Sequence, residues 1–309
     1  MSPTAKAASS SAKSPPKTPM KAKKAQKPPS THAGPSLSPA QAAGLAAGHG
    51  YKLTELVTIS PSGQPSPGAC YWHGGSTEAL STDDREAVAW LLAHEIIRSR
   101  TGGNSSFDLW LSAALSGTTL AEDDAKRVRP FIRPVFGLPP KGKDIGHVAG
   151  YVAEWLWYLH ATELADAARA PLYLEPPSGQ VTAPGHDGFV IYEQTADQQT
   201  IFRLWEVKKH DSSASATSVV KRATTQLNKF GDDYLAQLTA PLSERTDAVG
   251  DMAREMVDLW VDADPRAGAG VSITSTTTPP PHRMLRRRRN RLDPVPRGRP
   301  DRGTPDDSD

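Results

Sequence analysis

The chain has 309 residues, of which 37% are apolar, against about 45–50% in an average soluble domain. All 20 aromatic residues lie between Tyr51 and Trp260, whereas 18 of the 28 prolines lie before Gly68 or after Thr278. Residues 1–54 hold eight Lys and no acid, and residues 283–309 hold nine Arg and five Asp; the remaining 19 basic and 29 acidic residues give the middle a charge of −10. This distribution excludes a uniformly basic protein that coats nucleic acid, and it predicts a folded acidic middle between basic ends.

Cysteine use and hydropathy predict the compartment. Cys70 is the one cysteine, so the sequence can form no intramolecular disulfide and lacks the partners of a structural zinc site. The Lys-rich N-terminal stretch is followed by Pro, Ser and Ala instead of an apolar run. The longest apolar stretch, at 151–159, contains Glu154 and is too short to span a bilayer. We therefore expect a cytoplasmic protein with no membrane association.

Composition divides the chain into four parts. Residues 1–50 mix Lys, Ala, Pro and Ser without a hydrophobic period, and residues 279–309 are Arg-rich in the same way, so we expect both to be disordered basic tails. Such tails suit phosphate backbones, although a solvated tail with no specific partner has the same composition. Residues 51–140 are predicted to form an N-terminal, mostly helical subdomain, and residues 141–278 an α/β domain.

Hydrophobic periodicity predicts the helices and strands of the folded part. In chain order, the predicted helices span residues 82–96, 106–115, 120–132, 147–169, 214–238 and 243–261. The predicted strands span residues 172–175, 187–193, 200–208 and 269–275. A long helix thus precedes three strands, and further helical sequence precedes the last strand.

The second and third strands are predicted to pair as an antiparallel hairpin. Polar residues 194–199 read as the turn between them, and a turn centred between Ala196 and Asp197 places Asp187 opposite Glu206. Because side chains alternate along a strand, Glu206 and Lys208 share one face. The hairpin alone therefore gathers two carboxylates and an ammonium group.

Two carboxylates held this close repel each other unless a cation lies between them. Oxygen ligands of this kind suit a hard divalent ion such as Mg²⁺. A metal ion at this point can polarise a phosphoryl oxygen and activate water, and Lys208 could offset the charge on phosphorus or orient that water. The pattern therefore predicts hydrolysis of a phosphodiester.

Asp187, followed after about twenty residues by Glu206-x-Lys208 at the end of an apolar strand, resembles the motif of the PD-(D/E)XK nuclease superfamily. The resemblance implies a restriction-endonuclease-like αβββαβ core, in the same order as the predicted elements from residue 146 onward. It also implies that an acid on the first core helix joins the metal site, which would be Glu154. The sequence Gln226-Leu-Asn-Lys-Phe230 is similar to the Gln and aromatic residue on the helix after the third strand, which makes Gln226 a candidate catalytic residue.

The resemblance implies a Mg²⁺-dependent deoxyribonuclease, with Mn²⁺ as an alternative ion. Asp187, Glu206 and Glu154 would be metal ligands, and Lys208 would stabilise charge. DNA is the expected substrate, and an endonuclease of restriction or anti-phage defence is the expected role.

Other functions fit the same residues. Glu-x-Lys occurs on ordinary strand edges, and Asp187 could be a turn residue. A protein of the same fold could bind nucleic acid or protein without catalysis. The chain has no Gly-rich loop of the Walker type, so a nuclease subunit would need a separate helicase or ATPase partner for translocation. The sequence also leaves a homodimer open.

Overall fold

A computed structural model describes residues 37–60, 73–77, 79–138, 141–142, 144–177, 187–210 and 215–275. Cys70 and the predicted C-terminal tail at 279–309 lie outside these residues, as do residues 1–36 of the predicted N-terminal tail.

The described residues form a mixed α/β structure. Its helices are α1 (Pro39–Gly48), α2 (Leu53–Leu56), α3 (Thr82–Thr101), α4 (Ser105–Ser116), α5 (Glu122–Phe136), α6 (Ile145–Glu163), α7 (Ala216–Ser243) and α8 (Ala248–Val261). Its strands are β1 (Thr58–Ser60), β2 (Gly74–Ser76), β3 (Gly137–Leu138), β4 (Lys141–Gly142), β5 (Arg169–Leu174), β6 (Gly188–Gln194), β7 (Thr200–His210) and β8 (Ala269–Ser275). None of the described helices combines the length and the apolar character needed to cross a membrane.

Helix α1 corrects the prediction of a disordered tail at 1–50, which is wrong for residues 39–48. Ser38 and Gln41 form a capping box at its start, so the first free N–H groups have partners. Three buried alanines, Ala42, Ala43 and Ala46, belong to the same apolar core as α3. Small side chains let two helices approach closely, and Ala-rich sequence whose one large apolar residue, Leu45, is exposed gave no periodic signal.

Three helices follow the predicted pattern. Helix α3 begins at Thr82 as predicted and is capped by the Ser81 side chain, and α4 occupies the predicted segment to within one residue at each end. Helix α5 continues to Phe136, beyond the predicted end at residue 132, and contains Pro130 and Pro134. These helices place buried side chains in one core with α1 and α2.

Helix α6 belongs to two cores at once. Tyr151, Trp155 and Leu159 are buried with the N-terminal helices, whereas Ala153 and Trp157 are buried against the sheet. The core of the predicted helical part 51–140 therefore includes side chains of α6, which belongs to the predicted part 141–278. Its burial on two sides explains why the predicted helix carries so many aromatic residues.

Helix α6 ends earlier than predicted, at Glu163 instead of residue 169. The Glu163 carboxylate accepts hydrogen bonds from the N–H groups of Leu53 and Thr54, at 3.0 and 2.8 Å, at the start of α2. Asp166 then accepts the N–H of Ala168, which forms a turn. The first strand of the main sheet consequently begins at residue 169 and not at residue 172.

The main sheet has four strands in the order β5-β6-β7-β8, and β8 is parallel to β7. Gly188 pairs with Trp205 and Glu193 with Thr200 in the β6–β7 hairpin, so the predicted register is confirmed. Helices α7 and α8 connect β7 to β8. Helix α7 continues through Pro241 past its predicted end, and α8 begins after the Asp247 cap instead of at residue 243.

Helices cover both faces of this sheet. Phe189, Ile191, Phe202 and Leu204 form one apolar core with α7 and α8. Val190, Tyr192, Ile201 and Val207 form another with α6. The alternation of side chains along β6 and β7 therefore assigns each residue to the α6 side or to the α7 side.

Gly188 fixes the position of α6 on the sheet. A Cβ atom added there would lie 2.3 Å from the Trp157 ring, so only glycine lets the indole lie directly against β6. The same indole is 5.6 Å from the Trp205 ring, centroid to centroid. This close approach brings the middle of α6 to the strand residue that follows Asp187.

We predict that Gly188→Ala lowers the free energy of unfolding by about 1–3 kcal/mol, because Trp157 and α6 must move away from the sheet. Urea unfolding measures the change. Gly150→Ala, in the interior of the same helix with no atom within 4 Å of the added Cβ, is the control and should stabilise by roughly 0.5–1 kcal/mol. Equal effects of the two substitutions would contradict the close packing at Gly188.

Candidate active site

Asp187, Glu206 and Lys208 meet at one end of the β6–β7 hairpin. The register that pairs Gly188 with Trp205 continues by one residue to place Asp187 opposite Glu206. All three side chains lie on the α7 side of the sheet. Asp187 is two residues from Phe189, and Glu206 and Lys208 are two and four residues from Leu204, so each shares the face of that buried residue. The structure thus brings together the three hairpin residues that the sequence singled out.

Hydrogen bonds and ion pairs connect this group. The backbone N–H of Val207 donates to Asp187 Oδ2 at 2.8 Å, which ties the residue before β6 to the neighbouring strand. Lys208 Nζ lies 3.6 Å from the same oxygen and forms a second ion pair with Glu206 Oε1. The ammonium group therefore stands beside both carboxylates and offsets their repulsion.

Glu206 is the most unusual acid of the described chain, because its side chain is 0% exposed. Oε1 contacts Lys208, but Oε2 is buried with no hydrogen-bond partner among the described residues. Burying an ion costs on the order of several kcal/mol unless its lone pairs are satisfied. A cation or a hydrogen-bond donor that bound to this oxygen would therefore remove an unfavourable free energy of burial.

Glu154 reaches the group from the other side of the sheet. It lies three residues before Trp157 on α6, so it shares the side of the helix that the Trp157–Gly188 contact holds against β6. Burial, together with the negative charges of Asp187 and Glu206, raises its pKa to about 8, although Lys208 acts in the opposite direction. The helix acid implied by the nuclease resemblance is therefore close enough to interact electrostatically with all three hairpin residues.

The same causes act on Glu206. Burial and the neighbouring Asp187 carboxylate raise its pKa to about 7, against the opposing effect of Lys208. Burial is the larger cause of both shifts, and the neighbouring carboxylates add to it. Strongly shifted acids of this kind are typical of functional sites.

Gln226 lies on α7, on the same side of the sheet, but it does not join this group directly. Its amide donates to the hydroxyl of Tyr234 at 3.3 Å, and Tyr234 lies eight residues further along α7. Within the part of the chain that the structure describes, it makes no hydrogen bond to Glu154, Asp187, Glu206 or Lys208.

Sequence reasoning did not single out Glu175, which follows β5 at the same end of the sheet. Its N–H donates to the carbonyl of Phe189 at 2.9 Å, and its carboxylate accepts a hydrogen bond from Tyr173. Burial raises its pKa. The predicted strand at 172–175 already contained both residues, so the alternation Tyr173-x-Glu175 could have placed this acid on the same side as Tyr173, which packs against the α7 core.

The donor set consists of carboxylate oxygens, the ligands of a hard divalent ion. No three His, Cys, Asp or Glu side chains stand close enough to hold a metal ion as they are, among the residues that the structure describes. Mg²⁺, however, is usually bound by one or two carboxylates together with waters and substrate phosphates. Asp187 and the unpartnered Oε2 of Glu206 meet that smaller requirement, and Glu154 is the third acid nearby.

The chain was compared with protein-family models, curated proteins and solved structures, and none of them matches it.

The raised pKa values make the stability of the metal-free protein depend on pH. A carboxyl group whose pKa rises from 4.5 to about 8 on folding binds more protons in the folded state between those values. The free energy of unfolding must then decrease as the pH rises through that range. We expect Tm, measured in EDTA, to fall from pH 5 to pH 8, and to fall less steeply in Glu154→Gln, which cannot ionise.

Glu193→Gln is the matched control, since Glu193 lies at the other end of the same hairpin. This variant should keep the slope of the unmodified protein. If Glu154→Gln and Glu193→Gln gave the same pH dependence, Glu154 would not be in the charged group.

Proposed function

We propose that this protein is a divalent-metal-dependent nuclease that hydrolyses phosphodiester bonds of DNA. The observation that carries the proposal is the fully buried Glu206, whose free Oε2 lies in a group with Asp187, Lys208 and Glu154. A protein has little structural reason to place one fully buried acid and two partly buried acids around one lysine, because replacement by apolar residues is often neutral or stabilising. Binding of a divalent cation and a phosphate group would explain why these charged side chains are kept together.

Each residue has a distinct role in this proposal. Asp187 and Glu206 hold Mg²⁺ or Mn²⁺, and Glu154 is an auxiliary ligand or a proton acceptor. A divalent ion bound there would polarise a phosphoryl oxygen and favour deprotonation of the attacking water. Lys208, with a side chain 17% exposed, can turn from the carboxylates towards a phosphate oxygen and offset the charge that develops on it. The buried position of Glu206 keeps bulk water from weakening these interactions.

The order of elements supports the same proposal. A helix (α6), three antiparallel strands (β5, β6, β7), helical sequence and a strand parallel to β7 follow one another in the order that the PD-(D/E)XK resemblance implies. Helix α8 is an addition to that order. We propose on this basis a restriction-endonuclease-like core, and a cytoplasmic endonuclease of restriction or anti-phage defence, either alone or with a helicase or ATPase partner.

We predict that the purified protein cleaves plasmid DNA with Mg²⁺ or Mn²⁺ and not with EDTA. Glu206→Gln keeps the size of the buried side chain but removes its charge, and Lys208→Met keeps the length of the aliphatic stem. Each should lower the cleavage rate by about 10²-fold or more, because a ligand or a charge-stabilising group is lost. Gel assays of supercoiled and linear DNA measure the rate.

Glu193→Gln, on the same hairpin but away from the group, should cleave at the unmodified rate. Circular dichroism and thermal unfolding show whether each variant is folded. Full activity of a folded Glu206→Gln protein would falsify the assignment of the site.

A second function is favoured by one observation. Lys208 already contacts Glu206 and Asp187, so the described side chains neutralise part of their own charge without a metal ion. A protein of the same fold that binds nucleic acid or protein without catalysis would keep such a closed arrangement. It would bind DNA equally well in EDTA and in Mg²⁺, and no divalent ion would produce cleavage.

A further inference from the structure

A groove runs along the exposed side of the first half of α7. It is widely open to solvent and has a volume of about 430 Å³. Its residues recur at intervals of three and four, which is the spacing of one side of a helix. They are Ser218, Lys221, Arg222, Thr225, Gln226 and Phe230.

The groove is basic on a chain whose middle is acidic. Residues 215–231 contain Lys221, Arg222 and Lys229 but no Asp or Glu. None of the three forms an ion pair with a described residue. Helix α8 differs in this respect, because Arg254 there pairs with Asp251. The α7 side therefore offers positive charge that is not offset within the described fold.

An aromatic ring lies at one end of the groove. Phe230 is half-buried, Lys229 Nζ lies 4.6 Å from its ring centroid, and Tyr234 is 6.1 Å away, ring to ring. A ring flanked by cations is the combination that binds single-stranded nucleic acid, because bases stack on the ring and phosphates contact the cations. A base inside a duplex is stacked between its neighbours and is not free to stack on the ring.

The groove and the acidic group lie on the same side of the sheet. Leu227 and Leu235 of α7 pack on Phe202 and Leu204, and Glu206 and Lys208 continue the same row of side chains along β7. The chain needs only residues 211–214 to pass from β7 to the Ser215 cap of α7. The basic end of α7 is therefore connected to the strand end that carries the carboxylates.

We propose that this groove holds one unpaired nucleotide of a DNA strand, with its base against Phe230 and its phosphate against Lys221 and Arg222. The role of the groove rests on the proposed nuclease function, since the groove would hold a single strand for cleavage at Asp187 and Glu206. Binding itself requires no cleavage and can be measured separately.

The experiment measures binding to the full-length chain in EDTA by fluorescence anisotropy. The probes are a labelled 12-nucleotide strand, an abasic strand of the same length and the corresponding duplex. Phe230→Leu, which fills the same space without an aromatic ring, should weaken binding of the normal strand by about fivefold or more. It should leave the abasic strand and the duplex within twofold of the unmodified protein.

The cations are tested by a double substitution. Lys221→Ala with Arg222→Ala should weaken the binding of both single strands about tenfold, and should reduce the salt dependence of log Kd by about 1.4 for two lost phosphate contacts. Arg127→Ala with Arg129→Ala, two exposed bases of α5, is the matched control. This control should change affinity by less than twofold.

Two results would overturn the proposal. One is a Phe230→Leu effect that is absent, or equal for normal and abasic strands. The other is an equal loss of affinity in the α7 and α5 double variants, which would indicate general attraction to basic side chains. Cleavage by Glu206→Gln tests the nuclease site, and strand binding in EDTA by the α7 variants tests the groove. Either proposal can therefore fail while the other is supported.

Discussion

The contact between Trp157 of α6 and the bare backbone of Gly188 is the constraint on which the rest of the structure depends. It allows α6 to lie against the sheet while the opposite side of the same helix is buried among the N-terminal helices. The two halves of the described chain consequently share one structural element. Because Glu154 stands one turn before Trp157, and Asp187 immediately precedes Gly188, the same contact brings an acid from each side of the sheet to one place.

Burying the acidic side chains of this group lowers the stability of the fold. Glu206 has no exposed surface and keeps one oxygen without a partner in the described structure, while burial and neighbouring carboxylates raise the pKa of Glu154 and of Glu206. Lys208 neutralises only part of this charge. A divalent ion and a phosphate would supply the missing partners, so the proposed function and the local instability have one cause. The α7 groove would add a means of holding the strand to be cut.

The hairpin could be predicted closely because its information is local. Runs of apolar residues define both strands, a short polar turn sets the register, and Asp187 opposite Glu206 follows from counting alone. The ends of helices were less predictable. Helix α6 ends at Glu163, where the backbone becomes extended at Leu164, and the Glu163 carboxylate binds the start of α2, a contact between residues more than a hundred positions apart. Helix α1 was missed because buried alanines carry no strong hydrophobic signal, and the α7 groove depends on which side of a helix the sheet leaves exposed.

Direct measurement of metal binding tests the central claim. Bound Mn²⁺ loses its sharp electron paramagnetic resonance signal, so titration of the purified full-length chain gives the affinity without DNA or cleavage. The account predicts that Glu206→Gln weakens Mn²⁺ binding by at least about tenfold, and that Glu193→Gln, at the other end of the same hairpin, leaves it unchanged. Equal affinity of the unmodified protein and a folded Glu206→Gln variant would contradict the account.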